Sequence, residues 1–240
     1  MKDIKEYIRN NQDYFEDFIT RSVYHSNGIE GNTLSYAETY AIIFNDNSFS
    51  IGNVKPREIY EAINLKYALS YVLDNLDEPL SESMIKQVGI YINKNISEID
   101  GYRTHGVQMR GVEYLPPAAS QVKQAMMYFV HNYNNTGYED VYEKIADNHI
   151  KFERIHPFAD GNGRTGRVLI DYELLRNDLP PLVIPQDERI KYFKYLDQQD
   201  VMGLKVYFQE LSKKELERIE KFQQMPEKKK NQKRNSDRIL

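Results

Sequence analysis

The residues best able to do chemistry lie in one stretch, IHPFADGNGRTGR, residues 155–167. Gly161 and Gly163 let the backbone turn its N–H groups inward as an anion nest. The stretch 163–177 that follows is amphipathic at helical spacing, so the positive end of a helix points at the same place. Arg164 and Arg167 are three apart on its first turn and project from roughly one side. Together these groups make a polyphosphate cradle. Asp160 sits just before the nest. A carboxylate beside phosphate suits Mg²⁺, which takes one or two protein oxygens and fills its remaining positions with phosphate and water. His156, with an ordinary pKa of ~6.5, is able to accept a proton from a hydroxyl near neutral pH.

Two other readings of these residues fail. Gly161, Gly163 and Gly166 also satisfy G-x-G-x-x-G, and Asp187 lies where a ribose ligand would be sought. That fingerprint has to follow an apolar strand, whereas FERIHPFAD continues a charged helical pattern and the chain has no βαβ succession. His149, Glu153 and His156 fall at i, i+4 and i+7, but they lack the His-Glu-x-x-His order of a helical zinc site, and Pro157 ends the helix there. His149 is expected to pack beneath the loop.

The elements that position this loop read as helices by their apolar periodicity. Residues 3–25 form the first helical stretch. Ser35 and Glu38 have capping-box spacing for a second, Pro56 suits the first turn of a helix running toward Leu73, and Ser81 caps another through about Asn95. Helices are predicted at 120–134, 138–154, 187–198 and 203–224, and Pro180-Pro181 stops the helix that begins at 163. The exception is GYRTHGVQMRGVEYLPP, residues 101–117, whose glycines and alternation at Val107, Met109 and Val112 predict a small hairpin. The tail after Pro226 is polar and basic and reads as a solvated, disordered end. A net charge of −4 gives no general attraction to nucleic acid or anionic membrane. Cysteine is absent, which excludes disulfides and thiolate metal sites. No apolar run is long enough for a membrane span, and the expected location is the cytoplasm.

HPFADGNGRTGR resembles the signature of the Fic family, H-x-F-x-D/E-G-N-G-R-x-x-R, at each specified position: His156, Phe158, Asp160, Gly161, Asn162, Gly163, Arg164 and Arg167. The resemblance implies a mainly all-α helical bundle with a small β-hairpin flap over the active site. It divides the chain into an N-terminal segment (1–54), a core (55–224) and the tail (225–240). The implied activity is transfer of AMP from ATP to a Ser, Thr or Tyr hydroxyl of a target protein, or of the chain itself, with release of pyrophosphate. His156 would be the base, and Asp160 would hold Mg²⁺ or Mn²⁺ against the α- and β-phosphates. Gly161, Asn162, Gly163 and Arg164 would line the phosphates, and Arg167 would grip the γ-phosphate. Phe158 would anchor the loop in the core. A relative that phosphorylates its target carries lysine where this chain has Gly163, which favours AMP transfer here. The flap, Val107, Gln108, Met109, Arg110 and Gly111, would pair main chain to main chain with the target. Tyr192, Phe193 and Asp200 occupy the segment that borders the adenosine, with Phe193 and Asp200 departing from the usual tyrosine and asparagine and Tyr192 equally readable as a core aromatic.

A second motif lies upstream in SNGIEGN, residues 26–32. Ser26 and Glu30 are one helical turn apart on one face, and Gly31 suits the left-handed position that ends a helix. The motif resembles the family's inhibitory pattern, S/T-x-x-x-E-G/N, in the class that carries it N-terminally. That resemblance implies that Glu30 pairs with Arg167 and removes the γ-phosphate grip. The alternatives are a de-AMPylating phosphodiesterase in which Glu30 orients water, and a non-catalytic nucleotide-binding or toxin–antitoxin module. A homo-oligomer is compatible with the sequence, which names neither the target nor the trigger.

Overall fold

The computed structural model describes residues 3–46, 52–97, 99–107 and 114–224, and these form ten α-helices with no strand among them. In chain order they are α1 (Ile4–Asn10), α2 (Gln12–Ile29), α3 (Tyr36–Phe44), α4 (Pro56–Asp74), α5 (Glu82–Asn93), α6 (Ala119–Asn135), α7 (Val141–Ile155), α8 (Asn162–Arg176), α9 (Arg189–Asp197) and α10 (Val201–Gln224), with a 3-10 turn at Gln186–Glu188. Helix α8 is the hub. It is buried on almost every side and packs against α1, α2, α4, α5 and α7.

The ends of these helices follow from local chemistry. Ser35 and Glu38 form a reciprocal capping box at the head of α3. Pro56 occupies the first turn of α4, where its missing N–H costs nothing. The Ser81 hydroxyl accepts from Met84 N–H at 3.2 Å, and Asp140 caps α7. Helix α2 ends in a Schellman arrangement. Gly31 takes φ +95°, its N–H bonds the Gly28 carbonyl at 3.0 Å, and Asn32 N–H bonds the Asn27 carbonyl at 3.1 Å. That turn fixes where Glu30 leaves the helix.

Ile4, Ile8, Tyr14, Phe18, Ile19 and Val23 share one apolar core with Leu65, Leu69, Val88, Ile92, Phe152, Phe158 and Val168. The described part of the N-terminal segment, from Ile4 to Ile43, thus contributes to the same core as the central helices. A second core beneath α7, α8 and α10 gathers Ile29, Ile150, Ile170, Leu174, Tyr192 and Phe208.

The hairpin expected at 101–117 is not formed by its described residues, 101–107 and 114–117, which are irregular. The physical reason is Arg103. Its guanidinium donates to the carbonyls of His156 at 2.8 Å, His105 at 3.1 Å and Pro117 at 2.5 Å, and its N–H bonds the Pro157 carbonyl at 2.9 Å. The stem is therefore pinned to the loop after α7 rather than paired in a ladder. Pro116 and Pro117, lacking N–H groups, would in any case interrupt one. Of the expected flap only Val107 is described. Gln108, Met109, Arg110 and Gly111 lie outside the described residues, as does the tail from Met225.

Candidate active site

The site forms where α7 ends, α8 begins, and the C-terminus of α2 and one face of α4 meet them. His156 is the C-cap of α7, held at φ +49°, with its N–H on the Phe152 carbonyl at 3.0 Å. Its Nδ1 lies 3.3 Å from the Glu153 carbonyl, a contact that fits an N–H at Nδ1 and leaves Nε2 as the basic nitrogen. Burial pushes the His156 pKa down; the Glu153 carbonyl partly opposes this, and Arg103 adds to it. The ring is therefore neutral near pH 7.

The loop to α8 is braced from within. The Asn162 side chain both accepts from Phe158 N–H at 2.8 Å and donates to the Phe158 carbonyl at 2.9 Å. Phe158 is fully buried against Gly89, where a side chain would strike its ring. What Asn162 offers a ligand is thus its backbone N–H, since its amide is spent on the loop. Gly161, the N-cap of α8, takes φ +80° and has Ile92 Cγ2 2.7 Å from where a Cβ would stand. Position 161 therefore needs glycine for both its backbone and its space. Beyond it the first N–H groups of α8 have no intrahelical acceptors.

The charged side chains fall into two groups. Arg167, itself buried, donates from Nη2 to Glu30 Oε1 at 2.6 Å and to the Ser26 carbonyl at 3.0 Å, and from Nε to the Ser26 hydroxyl at 2.8 Å. Burial alone would raise the Glu30 pKa, but Arg167, with help from Arg164 and Arg189, more than reverses that and holds it below the usual carboxylate range. Gly163 makes this pair sterically feasible. A Cβ there would overlap Glu30 Oε1 and stand 3.0 Å from Arg167 Nη1.

The second group surrounds Asp160, whose Oδ2 accepts from Arg57 Nη2 at 2.6 Å. Its Oδ1 accepts from Gly161 N–H at 2.6 Å and Arg164 Nη2 at 3.2 Å. Arg57 also donates from Nε to Glu61 Oε1 at 2.9 Å. Glu61 lies 3.5 Å from Arg164 Nη1, and its Oε2 accepts from Asn32 at 2.9 Å. The two arginines expected side by side on α8 thus serve different carboxylates, Arg164 those of Asp160 and Glu61, Arg167 that of Glu30.

No cluster of three acidic or histidine side chains suited to a metal occurs among the described residues. The Asp160 carboxylate is a partly exposed oxygen donor at the mouth of the nest. That donor set fits a hard cation arriving with phosphates, which supply its other ligands; it does not fit a resident protein-only metal site.

Tyr192 lies fully buried, its hydroxyl 2.6 Å from His149 Nε2 and its ring stacked on that imidazole. Burial raises the Tyr192 pKa and drives that of His149 down to about 3. His149 accordingly packs beneath α8. Phe193 is half-buried under the Arg189 guanidinium, and Asp200 Oδ1 accepts from Gly203 N–H at 2.8 Å in the first turn of α10. Of the three, Tyr192 lies beside Arg167 within the site, its charge interactions reaching Arg167, Glu153 and Glu30, whereas Phe193 and Asp200 make the local contacts just given. Sequence reasoning missed Arg57 and Glu61. Their i, i+4 spacing marks an ordinary helix-surface pair, and only the fold brings α4 to Asp160. Glu153, weighed in the sequence only as a metal ligand, is buried beside Gly166 with Oε1 lacking a hydrogen-bond partner among the described residues.

This arrangement, a glycine nest at the head of a buried central helix with a histidine and a carboxylate before it, is that of a Fic-type fold. A Fic-domain-containing signaling protein from Bacteroides thetaiotaomicron superposes with a TM-score of 0.79 at 23% identity, covering 88% of each chain. Fic-1 from C. elegans superposes with a TM-score of 0.73 at 25% identity, over 90% of this chain and 67% of that one. Residues 79–174 match the Fic/DOC family, and the chain carries a domain of that family. Among curated relatives, the protein adenylyltransferase Fic of Nematostella vectensis is 32% identical over 182 residues, 73% of this chain and 42% of that protein. That of Drosophila virilis is 30% identical over 182 residues, 72% of this chain and 36% of that protein. The chain thus spans about two-fifths or less of these relatives' length.

Proposed function

We propose that this chain transfers AMP from a divalent-metal complex of ATP to a Ser, Thr or Tyr hydroxyl of a protein, and that Glu30 restrains the reaction by occupying Arg167. The observation that carries the reading is the 2.6 Å pair between Glu30 and Arg167 at the mouth of the nest. A carboxylate there stands in for an anionic ligand, and the γ-phosphate is the anion that would replace it. The relatives' adenylyltransferase name supports the reaction class.

In this reading the triphosphate lies along the N–H groups of α8, with its γ-phosphate on Arg167 and its α-phosphate facing His156. The target hydroxyl oxygen forms a bond to the α-phosphorus while the bond to the bridging oxygen breaks, and pyrophosphate leaves. The hydroxyl proton passes to His156 Nε2. Burial keeps that imidazole neutral and able to accept it. Asp160 would hold Mg²⁺ or Mn²⁺, which supplies charge neutralisation at the α- and β-phosphates. The target-docking role of residues 107–111 enters this proposal on family resemblance alone.

The test uses the full chain with the Glu30→Gly variant, Mg²⁺, and ATP labelled at either the α- or the γ-phosphate. Label on protein from the α position alone is expected. Transfer from the γ position would instead make the chain a kinase. Release of AMP from a modified protein by the parent, lost in Glu30→Gly, would assign the reverse reaction.

A further inference from the structure

Asp160 is proposed above as the group that holds the divalent cation, and the inference here rests on that reading. The Asp160 carboxylate already carries a cation of the protein's own. Arg57 reaches across from α4 and donates to Oδ2 at 2.6 Å, while Oδ1 is shared by Gly161 N–H and Arg164. Both oxygens are engaged, and Oδ2, the one without a backbone or α8 partner, is held by Arg57.

We infer that Arg57 is a built-in competitor for the metal position: its guanidinium neutralises Asp160 at rest and must leave Oδ2 when the metal–nucleotide enters. Three features fit this role better than that of a permanent strut. First, Arg57 has an exposed side chain, 56% accessible, so it has solvent to swing into, whereas Arg164 is only 2% accessible and stays put. Second, Arg57 has a second anchor, since Nε bonds Glu61 Oε1 at 2.9 Å. Releasing Asp160 does not strand the charge. Third, a dication and a guanidinium cannot share one carboxylate oxygen without strong repulsion at a few ångströms, so occupancy by one excludes the other.

The anchor also connects the two parts of the site. Glu61 holds Arg57 through Oε1, and its Oε2 accepts from Asn32 at 2.9 Å, two residues past Glu30 and in the turn that closes α2. An Arg57 displaced from Asp160 falls wholly to Glu61, beside the turn that aims Glu30.

The experiment measures ATP affinity by calorimetry on the full chain, with Mg²⁺ and with excess EDTA. The parent, Arg57→Ala, Arg57→Gln and Arg57→Ala/Asp160→Asn are compared, and the readout is the fold-gain in affinity on adding Mg²⁺. Half-exposed ion pairs are weak, so the gain should grow about three- to fivefold in both Arg57 variants and vanish in the double variant. A gain that is unchanged or smaller without Arg57, yet still abolished by Asp160→Asn, overturns the competitor role and leaves the metal assignment intact. No Mg²⁺ effect in any of the four proteins overturns the metal assignment itself. Arg57 is exposed and on a helix surface, and Arg57→Gln keeps its stem, so matching melting temperatures are expected for the single variants.

Discussion

Replacing Glu30 by glycine should raise activity and lower stability together. The pair with Arg167 is a charge-assisted hydrogen bond of 2.6 Å between a buried guanidinium and a carboxylate about one-third exposed. Hydrogen bonds to charged groups contribute about 1.5–3 kcal/mol. Removing a competitor of that strength raises the fraction of Arg167 free for the γ-phosphate by about 10- to 150-fold, at roughly 1.4 kcal/mol per tenfold. The same loss removes the Glu30 carboxylate and leaves Arg167 its bonds to the Ser26 hydroxyl and carbonyl, so thermal unfolding should move down by the equivalent of about 1–3 kcal/mol. Position 30 is the C-cap of α2 and has φ −85°, so glycine relieves no strain there and regains none of that loss. The assay is incorporation of α-labelled ATP into protein, alongside a melting curve of each variant. Equal labelling by parent and variant would refute the brake. Higher labelling that persists in Glu30→Gly/Arg167→Ala would show that the brake acts somewhere other than Arg167. Unchanged stability would show that the ion pair contributes nothing in solution.

His156→Ala should cut labelling about 10²–10⁴-fold in the Glu30→Gly background while calorimetry still detects ATP binding; loss of binding would make His156 a ligand rather than a base. The ratio of Glu30→Gly to parent labelling should stay constant from pH 6 to 8. The Glu30 pKa is depressed below its ordinary value, so the pair is fully formed above that value and breaks only as pH falls through the lowered one; a ratio that collapses at pH 6 contradicts this. Glu153 behaves oppositely. Burial pushes its pKa up to about 8, against the pull of Arg167. The folded chain therefore keeps a proton that the unfolded chain loses near the ordinary carboxylate value, and stability should fall as pH rises from about 4.5 to 8. Glu153→Gln should flatten that slope in pH-dependent melting, and an unaltered slope would place its origin elsewhere. Gly163→Ala should break the Glu30–Arg167 pair by contact, seen as a melting loss that Glu30→Gly does not add to; fully additive losses would mean the two residues are independent.

Much of this site was legible because its requirements are local. A base, a carboxylate, two glycines and a helix start within a dozen residues declare themselves whatever surrounds them, and Gly31 and the Ser35 capping box mark their helix ends by the same short-range rules. The pairing of Ser26 and Glu30 with Arg167, across 141 and 137 residues, came only through family resemblance, since nothing in their spacing points to that partner. Arg57 escaped entirely, because an i, i+4 Arg–Glu pair looks the same whether it faces water or reaches a carboxylate on the loop before α8. The hairpin expected at 101–117 is absent from its described residues, 101–107 and 114–117, because alternation and glycines report only what a strand would tolerate. They say nothing about Arg103, whose side chain binds four carbonyls of this stem and of the end of α7. Tyr192 shows a related ambiguity, an aromatic at a plausible ligand position that the fold places wholly inside.

Release of the proposed Glu30 brake is constrained by energy. Tyr14, Phe18, Ile19, Val23 and Ile29 of α2 are completely buried, and burying five such side chains is worth about 8–15 kcal/mol at 1.5–3 kcal/mol each. That matches the whole stability of an ordinary domain. Undocking α2 is therefore equivalent to unfolding, and no ligand that binds this loop could drive it without comparable differential affinity. Release has to be local. Glu30 lies just past the last helical residue, its side chain about one-third exposed, and its bond to Arg167 is a single hydrogen bond. A rotation of that side chain frees the guanidinium while every buried contact of α2 stays in place. The proposed gate would then span a few kilocalories rather than the stability of the fold, a range in which a bound triphosphate, or a small displacement of the Asn27–Asn32 turn, would be enough to set the balance.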